Sequence, residues 1–146
     1  MTRSATTAAA IVLILPLLAG CGGGKSYCDS VKSHQADLGS VISSGGRGAL
    51  LQALPIFEDL QGSAPADVAD DWQLLVTRVT ALRTALTDAH VDPASYDPEK
   101  PPPGLTPAQR TTILRAAAGV GAADTRQALA DLQQEVLDVC HTPLEL

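Results

Sequence analysis

The clearest alternation of apolar and polar positions lies in the middle of the chain. Six apolar residues are spaced by four, three, four, three and four positions, namely Val68, Trp72, Leu75, Val79, Leu82 and Leu86. This heptad seam places all its members on one face of a helix, which we expect to be buried. Trp72 is therefore predicted to be a core anchor rather than a ligand-stacking ring, while the charged ends of Arg78 and Arg83 stay in water.

The start of this helix carries its own signals. Ser63 can cap the helix and Pro65 fits its first turn, so we predict a helix over residues 65–89. Acidic side chains stand where the positive end of the helix dipole favours them, at Asp67, Asp70 and Asp71.

Four further helices are predicted by the same criteria, over residues 27–43, 49–60, 106–118 and 123–140. Pro55 predicts a kink or a break after Leu54 in the second of them. Thr106 and Pro107 are typical of the cap and first turn of the fourth. The fifth is expected to bury an apolar face formed by Leu129, Leu132, Val136 and Val139.

Residues 91–105 contain five prolines and are predicted to be irregular. If consecutive helices alternate in direction, the fifth helix runs away from Cys28. It must nevertheless run toward Cys28 to bring Cys140 next to it, so the chain between the third and fifth helices must resolve this conflict. Two arrangements satisfy this condition. Either residues 91–105 cross the full length of the bundle, or the fourth helix lies across it.

The composition indicates the fold class. Apolar residues are mainly Ala, Leu and Val, which suits closely packed helices better than a sheet. Residues 27–146 are long enough for one domain and too short for two. We predict a single all-α bundle of about five helices, three long and two short, with one disulfide.

The N-terminus has the features of an export signal. Arg3 supplies a positive charge, residues 8–18 are apolar, and small residues precede Cys21. The apolar run of roughly a dozen residues is interrupted by Pro16, whereas a bilayer span needs about 20. We therefore expect residues 1–20 to be a signal peptide.

The end of this signal, Leu18-Ala19-Gly20-Cys21, resembles the lipobox of bacterial lipoproteins, a leucine and two small residues before the modified cysteine. The resemblance implies a diacylglyceryl thioether on Cys21, cleavage before it, and acylation of the new amine by a chain such as palmitate. Residues 21–26 are then a short lipidated, flexible tether that keeps the domain close to the extracytoplasmic face of the cell membrane. The alternative is an ordinary secretory peptide followed by chance by a cysteine.

Cys28 and Cys140 remain once Cys21 is assigned to lipid. An even pair in an exported chain predicts a disulfide, here joining the two ends of the domain. The alternative is a metal site of Cys28, Cys140 and His141, which lacks the paired ligand spacing of zinc sites.

Other candidate sites have little support. The remaining metal-ligand candidates are three histidines and three loop carboxylates, namely His34, His90, His141, Asp92, Asp97 and Glu99. The histidines lie on distant segments, and the carboxylates lack the ligand alternation and central glycine of an EF-hand. Gly-x-Ser-x-Gly, phosphate-loop and Cys-x-x-Cys motifs are missing from the sequence. We expect no cofactor, no metal and no enzymatic activity.

Charge limits the partners. Without residues 1–20 the chain has nine Lys and Arg against 16 Asp and Glu, a net charge of −7. Nucleic acids and anionic lipid surfaces both require a basic face, so neither is an expected partner. Membrane attachment is expected through covalent lipid on Cys21.

A second resemblance covers the mature part. Cys28-x-x-Val31 and the pattern Ala-Pro-x-x-Val-x-Asp-x-Trp over residues 64–72 resemble small helical lipoproteins of high-GC actinobacteria. The expected function is a non-enzymatic interaction module of the cell envelope that contacts another envelope protein, with residues 91–105 as an exposed recognition loop. The alternative is a carrier of a small ligand or acyl chain, with a cavity between its helices.

Overall fold

The chain folds into five α-helices in a computed structural model that describes residues 23–44, 48–97 and 99–144. The helices are α1 Gly23–Ser43, α2 Ala49–Ser63, α3 Ala69–Asp88, α4 Pro107–Val120 and α5 Ala123–Cys140. One 3-10 turn, Pro93–Ser95, lies between α3 and α4, and the described residues contain no strand. The predicted all-α bundle of three long and two short helices is confirmed. No described helix has the length and apolarity needed to cross a membrane.

The heptad seam is the centre of the core, as predicted. All six of its residues are buried, and Trp72 is fully enclosed. The indole Nε1 of Trp72 donates a hydrogen bond of 2.8 Å to the hydroxyl of Tyr27, and the Phe57 ring lies 6.0 Å from the indole between centroids. The role of Trp72 as a core anchor is confirmed. Tyr27 was not expected there, and it joins α1 to α3 through this aromatic cluster.

The Cys28–Cys140 disulfide marks one end of the bundle, which we call the base. α1 leads away from the base and α2 returns toward it, since His34 on α1 reaches Asp59 on α2 with a distance of 2.7 Å between Nε2 and Oδ2. α3 leads away again. The opposite end, where α2 and α4 begin and α3 ends, is called the far end.

Both α4 and α5 run antiparallel to α3, one after the other. Arg78 in the middle of α3 lies against Gly119 near the end of α4. The same arginine donates a hydrogen bond of 3.1 Å to Asp124 at the start of α5. Nearer the base, Asp67 before α3 contacts Glu135 on α5. α4 therefore descends from the far end to the middle of α3, and α5 continues to the base.

This arrangement is neither of the two that we predicted, because consecutive helices do not alternate in direction here. α4 has 14 residues and is about 21 Å long, too short to cover α3. A connection of two residues, Gly121 and Ala122, then starts α5 in the same sense. The buried hydroxyl of Thr125 donates to the carbonyl oxygen of Gly119 at 2.8 Å and ties the two helices together.

Residues 91–105 stay at the far end and are not a freely exposed loop. A Cβ added to Gly48 would stand 3.3 Å from the carbonyl oxygen of Pro93, so the segment packs against the start of α2. Val91 and Tyr96 are buried, whereas Pro101 and neighbouring residues are exposed. The expected exposure holds for most described residues of the segment, but not for Val91 and Tyr96, whose apolar side chains cover the open end of the core.

The ends of α2 and α3 differ from the prediction. Ser63 does not cap α3; it is the last residue of α2, and its hydroxyl donates to the carbonyl oxygen of Leu60 at 3.3 Å. α3 begins only after Val68, which makes no side-chain cap bond. Asp70 and Asp71 lie in the first turn, as expected from the helix dipole.

Pro55 does not interrupt α2, which runs through it. Proline removes one backbone hydrogen bond and crowds the preceding turn. On both sides of Pro55, however, α2 buries large side chains, including Leu54 and Phe57. The tertiary contacts of these residues hold the helix together across the unfavourable position.

Two other differences concern helix ends and faces. α1 begins at Gly23, so residues 23–26 of the expected flexible tether belong to its first turns. Val139 is 47 % exposed and is not part of the buried face of α5. The disulfide fixes the rotation of α5 so that residues in steps of three and four from Cys140 point inward, namely Val136, Leu132, Ala128 and Thr125. The predicted cap of α4 is confirmed, since Thr106 and Gln109 form a capping box.

Candidate functional site

The cysteines at the base are a structural pair. Cys28 and Cys140 form the predicted disulfide, with their Cα atoms 5.2 Å apart. Their sulfur atoms are bonded to each other, so they are not thiolate ligands for a metal with His141. Cys21 lies outside the described residues, and its lipidation stays a prediction.

Two histidines considered as metal ligands end helices instead. His90 and His141 have positive φ angles of 57° and 52°, the left-handed conformation that stops an α-helix. After His90, the backbone N–H of Val91 donates to the carbonyl oxygen of Leu86 at 2.9 Å and closes the end of α3. The three histidines are not brought together, and the described residues hold no cluster of three or more metal-ligating side chains.

The loop carboxylates serve the backbone of their own segment. Asp92 accepts a hydrogen bond of 3.0 Å from the N–H of Ala94. Asp97 accepts one of 2.9 Å from the N–H of Glu99. These contacts shape turns, in the way short acidic side chains commonly do.

An apolar pocket opens at the far end, between residues 91–105 and α4. Its volume is about 210 Å³. Its lining residues are Tyr96, Pro101, Leu105, Arg110, Ile113 and Leu114. Ile113 is the only α4 residue that is buried, whereas Leu114 is 53 % exposed at the rim. We call this the far-end pocket.

One cation, Arg110, lines this pocket, while Lys100 and Arg115 line neighbouring grooves. Residues 100–123 carry Lys100, Arg110 and Arg115 and no acidic residue, although the domain as a whole is strongly acidic. Arg110 and Arg115 are exposed, and no described carboxylate forms an ion pair with either. Burial, and next the nearby Asp97, raise the pKa of Tyr96, so its hydroxyl stays protonated. The far-end pocket together with exposed Arg110 and Leu114 is called the α4 surface.

A second groove, of about 280 Å³, lies between α3 and α4. Small side chains line most of it, and Arg78 and Arg115 stand at its edges. The Nε atom of Arg78 is buried without a hydrogen-bond partner among the described residues, but the guanidinium reaches Asp124 through Nη2. We assign this groove to the packing of α3 on α4.

Carboxylates crowd together between α3 and α5 near the base. Burial, and next the neighbouring charges of Asp131 and Asp70, raise the pKa of Asp71. Burial, and next the charge of Asp67, also raise the pKa of Glu135. At Asp71, burial and the neighbouring charges therefore outweigh the opposite effect of the helix dipole, which lowers the pKa of a carboxyl in the first turn. The antiparallel packing of α3 and α5 creates this cluster, which no local pattern indicated.

The cluster predicts a stability that decreases as the pH rises. A raised carboxyl pKa means that the folded protein holds its proton more tightly than the unfolded chain. The stabilisation is complete below the unfolded pKa of about 4 and is lost as the pH rises through the raised pKa of the folded state. The double variant Asp71→Asn and Glu135→Gln should therefore melt at a higher temperature than the native protein at pH 7, with no such advantage at pH 3.5.

Asp124 provides the opposite control for this measurement. The backbone N–H of Thr125, and then Arg78, lower the pKa of its exposed carboxyl. Its stabilising contribution is present above the unfolded pKa and disappears as the pH falls through the lowered one. Asp124→Asn should lower the melting temperature at pH 7. If the double variant and Asp124→Asn each changed the melting temperature by the same amount at pH 7 and at pH 3.5, the assigned directions of the pKa shifts would be contradicted.

Comparisons with known proteins add no relative. No family model matches the chain, and neither the curated proteins nor the solved structures contain a match. The candidate site is therefore inferred from the geometry of this structure alone. The sequence pointed to residues 91–105 as the contact region and to α4 as a helix, but not to the exposed face of α4, although the absence of acids over residues 100–123 was a signal that could have indicated it.

Proposed function

We propose that the protein is a lipid-anchored module on the extracytoplasmic face of the cell membrane that acts by contact with another envelope protein, without catalysis. The observation that carries this proposal is the position of the α4 surface. It lies at the far end, whereas α1 begins at the base only two residues after Cys21. α3 has 20 residues and is about 30 Å long, so a lipid on Cys21 would leave the α4 surface directed away from the bilayer.

The closed core also favours contact over transport of a ligand. Large side chains fill the interior, including the fully buried Tyr27, Phe57 and Trp72. Pockets for drug-sized ligands usually measure about 300–1,000 Å³. The far-end pocket is smaller, at about 210 Å³, and it is open to solvent. A groove of about 400 Å³ between the start of α2 and the segment around Tyr96 is within that range, but its lining is mainly polar and it is widely open to solvent. A carrier of acyl chains would require a larger apolar cavity between the helices.

Anchoring is expected to depend on Cys21. Replacement of Cys21 by alanine should move the protein out of the membrane fraction or block its maturation, because the net charge of −7 disfavours adsorption on anionic lipid. Fractionation of cells and immunoblotting measure this. Cys28→Ser is the matched control, since it removes another cysteine and should leave the protein in the membrane. A mature Cys21→Ala protein that remains in the membrane would show that the lipoprotein assignment is wrong.

The contact function is tested by crosslinking in intact cells. Formaldehyde treatment followed by purification from membranes should yield a discrete complex that contains a second protein. Recovery of the protein only as a monomer, at expression levels that match the native ones, would count against an interaction module.

A further inference from the structure

α4 has the least buried surface among the five helices. It buries Ile113 alone, while the other four helices each bury three or more residues. Leu114 is the most exposed large apolar side chain among the described residues. Arg110 lies one turn before Leu114 on the same side of the helix. One apolar and one cationic side chain are thus presented together to solvent, whereas Arg115 lies toward the groove between α3 and α4.

The size of the far-end pocket indicates what enters it. A volume of about 210 Å³ is below the usual range for drug-sized ligands. It is sufficient for one large apolar side chain of a partner. Binding energy at protein interfaces concentrates in such anchors, which fill a pocket surrounded by polar groups. The dimensions therefore favour a protein segment over a free ligand.

The charge around the pocket indicates the chemistry of that segment. Arg110 is the charged residue that lines the pocket, and no described carboxylate forms an ion pair with it, whereas Asp97 and Glu99 line the adjoining groove with Lys100. Residues 100–123 contain three cations and no acidic residue, and the rest of the mature chain has a net charge of −10. This excess of acid repels extended polyanions such as nucleic acids, whereas a short acidic segment can reach Arg110 alone. Carboxylates next to the inserted side chain would give Arg110 the ion pair that it lacks among the described residues.

We propose that the α4 surface binds an acidic segment of a partner protein, which inserts one apolar side chain into the far-end pocket and pairs a flanking carboxylate with Arg110. This inference rests on the proposed contact function and specifies the partner's chemistry. Leu114 and Leu105 hold the inserted side chain, and Arg110 selects against neutral or basic partners.

The test uses the full-length protein in intact cells of its native host. The photoreactive residue p-benzoylphenylalanine replaces Ala118, an exposed residue one turn beyond Leu114, so that the pocket stays native. Ala36→p-benzoylphenylalanine, at an exposed position of α1, is the matched control. After irradiation, mass spectrometry maps the adducts. We expect adducts from position 118 within a stretch of the partner rich in aspartate and glutamate.

Two variants test charge and apolar contact separately. Arg110→Glu should reduce the adduct yield by about tenfold or more, because a repulsive contact replaces an ion pair. Leu114→Ser should also reduce it. Arg126→Glu makes the same charge change at an exposed position of α5 and should leave the yield unchanged. Circular dichroism and thermal melting of each purified variant check that it is folded.

The outcomes separate this inference from the proposed function. Adducts from position 36 alone would keep the interaction module and overturn the α4 surface. No protein adduct from either position would overturn both. Adducts from position 118 to a second copy of this chain, to a segment without acidic residues, or with a yield insensitive to Arg110→Glu would overturn the acidic partner.

Discussion

Replacement of Trp72 by alanine is expected to lower the free energy of unfolding by about 3 to 5 kcal/mol. The indole is fully buried, lies near the Phe57 ring and donates to the Tyr27 hydroxyl. Its loss leaves a cavity and also a buried hydroxyl without that donor. Domains of this size usually have a total stability of about 5 to 15 kcal/mol, so the variant should be close to unfolding. Urea unfolding followed by circular dichroism measures the difference.

Two controls separate the contributions at Trp72. Trp72→Phe removes the indole N–H but keeps an aromatic ring, so its cost should be lower than that of alanine. Leu114→Ala, at a side chain that is 53 % exposed, should change stability by no more than about 0.5 kcal/mol. If Trp72→Ala cost as little as Leu114→Ala, the heptad seam would not be the core.

Removal of the disulfide should have the second large effect. Cys28 and Cys140 are separated by 112 positions, and chain-entropy arguments give about 4.7 kcal/mol for closing a loop of about 100 residues. Native disulfides of small exported domains typically contribute about 2 to 5 kcal/mol. We therefore expect the Cys28→Ser and Cys140→Ser double variant to lose stability in this range, measured by urea unfolding.

Reduction of the native protein provides an independent check of the disulfide. A thiol reductant should shift the unfolding midpoint of the native protein toward that of the double variant and leave the variant unchanged. Peptide mapping without reduction should find the peptides with Cys28 and Cys140 linked. Free thiols at both positions in folded, oxidised protein would contradict the pairing.

Local pattern was sufficient for most of the secondary structure. The spacing from Val68 to Leu86 identified the buried face of α3, because side chains three and four apart share a helix face wherever the helix lies. Thr106 and Pro107 marked the start of α4 through groups within one turn. The disulfide followed from cysteine counting in a chain whose N-terminus predicts export. Ser63 failed as a cap because α2 extends over it, and such ends are decided by competition between neighbouring elements.

The candidate site was much harder to predict. Residues 91–105 were chosen as an exposed recognition loop, but Val91 and Tyr96 are buried and only part of the segment borders the far-end pocket. The other wall belongs to α4, whose Leu114 was not singled out because an exposed leucine has no local signature. A pocket between two segments depends on their relative placement, which local spacing does not contain.

The helices, the apolar seam, the disulfide pair and the acidic charge of this protein are properties of local spacing and composition, and they could be read without coordinates. The shared direction of α4 and α5, the carboxylate cluster between α3 and α5, and the apolar pocket beside Arg110 at the far end arose only in the packed bundle. The physical reason is the separation along the chain over which each interaction acts. Helix periodicity and caps act within about four residues, whereas helix direction and pocket shape are set by contacts between residues far apart in the chain.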